Sequence, residues 1–474
     1  MAIGTTFFQG EGENDLRTNA RRWVQIAQSW SAAAFDEGQL NMPFLQMHCL
    51  ILQARQMTSA GANLLWIPSG NLLRIAFAMG LHRDPKHFPK LSLFAREMRR
   101  RLWATVLETA VQTSIDYGMP SLVTPNDFDT QSPSNIDDEQ MNEGTIFAPE
   151  PKPDHIYTQT TIQIALLKSL RIRLAIVHFI NSFQSDPSYD ETLRFGQEIT
   201  KACNETSRLF QSFPSHLPRP TSLHSNLLDS SVRRFLLEVH RPFFSRAETD
   251  PRYYFSRKVC LENALTIIFP STSNDLPAAS GHNHQTTDDY SLLKMVGSGL
   301  YKTVFFPAIT IVVVELSLQL EEEIASGLPP SPQTKTVREP LYRAMNYMAK
   351  LATDRIRMGG DTNFKGPVIF NAATALIHAK GNGIPPEQVV PEAAKRAGLQ
   401  CLELLTARMK KNQEEVGPEN TRGTINGMNG SSIEQDFGFD FMMPDAGLEF
   451  GGMQEGSFGF QIEDSWLFTN WDAN

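Results

Sequence analysis

The chain has 474 residues, enough for a large core and two or three domains, and its 41% hydrophobic and 20% charged residues are the profile of a soluble globular protein. A net charge of −9 argues against nucleic-acid binding through the chain's own surface, since neutralising phosphates takes clustered Lys and Arg. The N-terminus lacks a basic start and an apolar stretch, which argues against a signal peptide, and the most apolar run, Val304 to Leu316, falls short of the roughly twenty residues that span a bilayer.

In chain order the body reads as helix after helix. Leu72, Ile75, Ala76 and Met79 fall on one helical face, and Gly80 follows as a helix stop. Met98, Leu102, Val106 and Ala110 make a second stripe at four-residue spacing. Between Pro120 and Pro153 the chain is rich in Asp, Asn, Pro and Ser, and a long ordered surface loop is expected. Ile162 to Phe183 is apolar nearly all round, as in a buried helix. Ser271 to Asp289 is polar and expected to be mobile, and Val304 to Leu316 reads as another buried helix despite Pro307 and Glu315. Gly327 to Pro340 carries four prolines among turn residues. Leu341, Ala344, Met345, Met348 and Leu351 form a stripe, and Ala393 to Met409 a last helix. Strand signals are scarce. The expected fold class is all-α: a large multi-helical regulatory domain over residues 1–411, a flexible linker over 412–430, and a disordered acidic tail over 431–474.

The tail concentrates the charge. From Ser431 to Asn474 there are nine acids and no Lys or Arg, so the rest of the chain balances to zero. Nine aromatics interleave with the acids, among them Phe437, Phe439, Phe441, Trp466, Phe468 and Trp471. Like charges hold such a chain open and keep its rings exposed, so that they can enter shallow apolar grooves on transcriptional coactivators. Docking of the tail onto its own domain and a purely solubilising role are the alternatives.

Chemical motifs are missing. There is no phosphate loop, dinucleotide fingerprint, nucleophile elbow or zinc-protease signature, so no catalytic residue is assigned and an enzyme is not expected. Cys49, Cys203, Cys260 and Cys401 are too scattered for a zinc site, and His282 with His284 stands in a polar loop without further ligands, so no metal is assigned. Glu321 to Glu323 reads as a solvated helix end. Arg96, Arg99, Arg100 and Arg101 spread over too much of a helix to line one groove; they are expected to pair with acids in neighbouring loops, with nuclear import or phosphate contact as lesser options.

Several segments together resemble a known family. The run WIPSGNLLRIAFAMGLHRD over 66–84 contains Gly80, Leu81, His82 and Arg83; REMRRRLW over 96–103 contains Arg99, Arg100, Arg101, Leu102 and Trp103; Gly118, Met119 and Pro120 follow. LEVHRPFF over 237–244 contains His240, Arg241 and Pro242, and a cysteine-containing helix over 256–264 comes next. In order and spacing, across about Gln25 to Met409, these resemble the fungal-specific transcription factor domain, the middle homology region of the binuclear zinc-cluster regulators. Met119 stands where the family has Arg, and Glu108 where an Asp is usual.

The resemblance implies a pathway-specific fungal transcription regulator, for example of a secondary-metabolite gene cluster, working in the nucleus or between cytoplasm and nucleus. Partners would be coactivators, DNA reached only indirectly or through a further module, and a homo- or heterodimer, with no membrane. The family's zinc ions would belong to a six-cysteine cluster that these residues do not contain, so no cofactor is expected in this chain. An alternative is a ligand-sensing or inhibitory partner of a full-length zinc-cluster factor. The motif residues His82, Arg83, His240 and Arg241 are expected to be structural, bonding helix ends and loop carbonyls.

Overall fold

The computed structural model describes residues 3–7, 13–38, 40–58, 65–182, 187–270, 289–327, 331–359 and 363–415. Among them are thirteen α-helices and no strand. The chain divides into two compact units, 1–9 with 17–311, and 10–16 with 312–474, the divisions falling inside two long helices.

In the first unit the helices are α1 (Glu13–Asp36) from Arg17 onward, α2 (Met42–Thr58), α3 (Trp66–Ala78), α4 (Leu93–Asp116), α5 (Thr161–Ile180), α6 (Tyr189–Ser212), α7 (Ser222–Arg246), α8 (Tyr254–Ile268) and α9 (Asp289–Val296). The α3 stripe buries Leu72, Ile75 and Ala76, and α4 presents Leu102, Val106 and Ala110 to the same core. Helix α3 ends where expected. Gly80 adopts φ +70°, and the N–H groups of Gly80 and Leu81 reach back to the carbonyls of Phe77 and Ala76, closing the orphan carbonyls of the last turn. Gly118, at φ +59°, ends α4 in the same way, with Met119 N–H on Ser114 O, which turns the chain sharply into Pro120. Helix α5 is less buried than its composition suggests. Leu170, Leu174, Ile176 and Val177 are interior, while Leu166, Leu167 and Ile172 pack at its margin.

The long loop between α4 and α5 is irregular throughout except for a short 3₁₀ turn at Asp138–Gln140. Trp103 anchors its underside, packed edge-on between Phe77 (5.4 Å between ring centres) and Phe128 (5.7 Å).

Helix α10 (Ser298–Ser326) runs through the division between the units; its C-terminal half lies with α11 (Pro332–Arg357), α12 (Lys365–Gly381) and α13 (Pro386–Glu415) in the second unit. By length and composition its segment Thr303–Ser326 could cross a membrane, but two-thirds of the apolar window is buried in the fold, as in a core helix. The proline-rich stretch read as turns contains the start of α11. Ser331 caps the helix by accepting from Thr334 N–H, Pro332 occupies its first turn, and Pro340 lies within it. The α11 stripe Leu341, Ala344, Met345, Met348 and Leu351 is buried as expected. Among the described side chains of α13 only Val390, Ala397 and Cys401 are buried, and Leu399 and Leu402 remain exposed. That helix also extends to Glu415, into the residues read as linker. Glu321 and Glu323 are not simply solvated: Lys380 of α12 pairs with Glu321 at 2.6 Å, and Arg338 of α11 with Glu323 at 2.6 Å.

Candidate functional site

The motif residues of the first unit converge on the loop after α4. Asp84 is fully buried and accepts four hydrogen bonds: from Lys86 N–H (2.9 Å), from Gln131 N–H (2.9 Å), and from Nε and Nη2 of Arg100 (3.2 and 3.0 Å). Burial by itself would raise its pKa; the Arg100 fork and the two backbone N–H groups outweigh that and hold the carboxyl at about 2. One turn away Glu97, also buried, accepts from Ser134 N–H (3.1 Å) and from Arg101 Nε (3.1 Å), while Arg101 Nη1 reaches Asp138 at 2.5 Å. Asn135 donates to the carbonyls of Lys152, Pro153 and Ile156 at 3.0–3.1 Å, and its own oxygen accepts from Thr158 Oγ1 at 2.7 Å. These groups fasten both halves of a loop that has no ladder of its own, because irregular buried backbone needs side-chain partners.

Arg100 and Arg101 thus pair with acids as expected. Arg96 and Arg99 do not. Arg96 donates to the carbonyls of Leu91 and Pro89, and Arg99 to Met79 O at 2.7 Å, capping the end of α3 beside the Phe88 ring. The expectation that His82, Arg83, His240 and Arg241 bond helix ends and carbonyls is corrected residue by residue. The His82 ring leans on Phe77 at 4.9 Å, and its Nδ1 is buried without a hydrogen-bond partner among the described residues. Arg83 pairs with Asp129 at 3.4 Å, and Arg241 with Glu238 at 2.8 Å one turn away. His240 is buried, its Nδ1 2.9 Å from Ser256 Oγ, and burial lowers its pKa to about 4. Pro242 lies inside α7 and not at its end.

A second polar array went unread in the sequence. Glu108, Gln112 and Asp116 stand four apart on α4. Arg173 of α5, fully buried, forks onto Glu108 at 2.8 and 2.7 Å, with its Nε on Ser169 Oγ. Gln112 donates to Glu108 and to Ser231 O and accepts from Arg234, which also pairs with Asp116 at 2.6 Å. The four-residue spacing on α4 was the available signal; its cationic partners lie on α5 and α7, 65 and more than a hundred residues away.

Two clefts open on the first unit. One, of about 480 Å³, lies among α1, α2 and α3 and is lined by Phe35, His48, Ile51, Arg55 and Arg74. The other, of about 360 Å³, lies among α6, α7 and α8 with His240 in its lining. No group of three or more metal-ligating side chains occurs among the described residues. All four cysteines are buried, and burial raises their pKa values, to about 12 for Cys49 and Cys203, so these thiols are not activated. The tail residues Phe437, Phe439, Phe441, Trp466, Phe468 and Trp471 lie outside the described residues, as do His282 and His284 and nearly all of the linker.

Arg100 and Arg101 with the buried acids Asp84 and Glu97 hold one long loop, and the glycine stops at Gly80 and Gly118 end the helices beside it. The family model of the fungal specific transcription factor domain matches residues 1–213 of this chain. It is 35% identical over 409 residues to "Transcription factor lepE" of Aspergillus flavus, covering 84% of this chain and 48% of that protein. To "Transcription factor opdR" of Penicillium oxalicum it is 34% identical over 468 residues, 95% of this chain and 57% of the relative. To "Aspyridones cluster regulator apdR" of Emericella nidulans it is 29% identical over 88% of this chain and 56% of the relative. The chain spans about half the length of the curated relatives it matches. Family and relatives are named as transcription factors and not as enzymes. No solved structure matches.

Proposed function

We propose that this chain is a pathway-specific regulator of fungal transcription, in which the helical units form the regulatory body and residues 431–474 recruit coactivators. The observation that carries the reading is the alignment with a named transcription factor over 95% of the chain. A relative named as a cluster regulator supports a gene cluster as the target, such as one for a secondary metabolite. The work is done in the nucleus, with exchange through the cytoplasm. DNA is reached through a partner or a further module, because the arginine run is engaged within the fold, and the body assembles as a homo- or heterodimer. The chain needs no cofactor of its own, and its four buried thiols are structural.

The tail's chemistry supports recruitment. Nine acids without a basic residue keep nine aromatics from collapsing together, and such segments order on a partner's apolar groove. The test fuses residues 431–474 to an unrelated DNA-binding domain in a yeast reporter. Strong activation is expected, and it is lost when Phe437, Phe439, Phe441, Trp466, Phe468 and Trp471 are changed to Ala. A silent wild-type tail would remove activation from this reading and leave an inhibitory relative in its place.

A further inference from the structure

The loop between α4 and α5 is fastened at its base and bare at its tip. A closed turn leads into the tip: Gly144 N–H donates to Asn142 Oδ1 at 2.9 Å, Thr145 N–H to Asn142 O at 3.0 Å, and Asn142 N–H to Thr145 Oγ1 at 2.9 Å. Directly after it stand Ile146 and Phe147, 80 and 85% exposed, the two most exposed large apolar side chains among the described residues. Pro149, Pro151 and Pro153 stiffen the return of the chain, and Lys152 N–H bonds back to Asn135 O at 2.8 Å. An Ile–Phe pair held in water on backbone that is already ordered loses little further entropy on binding. Its apolar area stabilises nothing until a partner covers it.

Charge says what that partner must offer. Asp137 pairs with Lys152 and Asp138 with Arg101, at the base of the loop. Glu139, Glu143 and Glu150 are exposed and have no ion pair with the described residues. Glu143 lies three residues before Ile146 and Glu150 three after Phe147, so negative charge brackets the apolar pair. The chain itself carries the complement, in the cleft of about 480 Å³ among α1, α2 and α3. Phe35, Ile51 and Leu52 give that cleft apolar walls, Arg55 and Arg74 give it positive charge, and no acid lines it. Arg74 is exposed, and among the described residues it donates only to Asn71 Oδ1, at 3.3 Å. The cleft among α6, α7 and α8 fits the tip less well, because Glu205 stands in its lining. Within one chain the tip is bare, so it does not fill its own cleft.

We propose that the Ile146–Phe147 tip of one copy seats in the α1–α3 cleft of a second copy. The two side chains pack against Phe35, Ile51 and Leu52, and Glu143 and Glu150 face Arg55 and Arg74 at the rim. Each copy carries both the tip and the cleft, so two copies exchange tips reciprocally and close a twofold pair. Two small seats make a weaker contact than one broad apolar face, and their rim charges make it sensitive to salt. The inference rests on the reading of the body as a dimer and gives the homodimeric form of that reading its residues.

Sedimentation velocity of the full chain tests it, with self-association expected between about 1 and 100 µM. Ile146→Ser combined with Phe147→Ser should weaken the association by at least about tenfold, and Arg74→Glu by about as much. All three side chains are exposed, so both variants should melt like wild type. Mixing the two variants leaves one intact tip opposite one intact cleft. The mixture should therefore associate more tightly than either variant alone and less tightly than wild type. A wild-type chain that stays monomeric up to about 100 µM would overturn the inference and leave only the heterodimeric form of the dimer reading. Self-association that the serine variant keeps in full would overturn the role of the tip while the homodimer stands. No gain on mixing would overturn the seating of the tip in this cleft.

Discussion

At Asp84 a single carboxylate does the work that a β-ladder would do elsewhere: it ties Lys86, Gln131 and Arg100 to one point. Replacing it by Asn removes the charge that the Arg100 fork requires and leaves a guanidinium without its acid. A loss of about 3 kcal/mol is expected in urea unfolding. The pH dependence has a definite sign. The folded pKa lies at about 2, below the ordinary value of 3.8, so the unfolded chain binds the proton more readily. The stabilisation is therefore complete above pH 3.8 and fades as pH falls toward 2; the gap between wild type and Asp84→Asn should close over that window. A gap that stays constant down to pH 2 would show that Asp84 acts by shape alone. Gly80 makes a second prediction at this scale. At φ +70° any Cβ is strained, and one here would also stand 3.4 Å from Arg99 Nη2, the group that caps Met79 O. Gly80→Ala should cost about 1–2 kcal/mol in the same measurement, whereas a glycine already in helical φ would gain from the change.

Among the elements, α4 is the axis of the first unit. One face packs Leu102, Val106 and Ala110 into the core, while Glu108, Gln112 and Asp116 carry the polar array toward α5 and α7. Arg173 is fully buried, and its charge is tolerated because Glu108, Ser169 Oγ and the Leu166 carbonyl together accept from its guanidinium. Arg173→Met and Glu108→Gln should each destabilise by about 3 kcal/mol, while the double variant should lose much less than their sum. Additive losses would indicate that the two side chains act separately. How far the elements were legible follows from these same residues. The α3 and α11 stripes and the Gly80 and Gly118 stops could be read, because period and backbone conformation are local properties. The start of α11 at Pro332 was hidden, since a proline at a helix's first turn and one in a turn share the same φ. The partners of Arg96 and Arg99 were hidden too, because a backbone carbonyl leaves no mark in the sequence.

For the whole molecule the division into two compact units has a thermodynamic consequence. Two compact units can unfold separately, so scanning calorimetry of the full chain should give a total enthalpy larger than the van't Hoff enthalpy of a single transition. Equal enthalpies would mean that α10, which runs through the division, couples the units into one cooperative block. The sequence by itself determined the all-α class, the resemblance to the family, the motif segments and the placement of nine uncompensated acids beyond Ser431, because composition, period and motif order are properties of the chain alone. Only the tertiary structure decided that Asp84, Glu97 and Asn135 hold the long loop, and that Gly196 admits His240 to its place against α6. Those facts depend on which distant residues meet, and a buried charge or a missing Cβ takes its meaning from the neighbour that folding places against it.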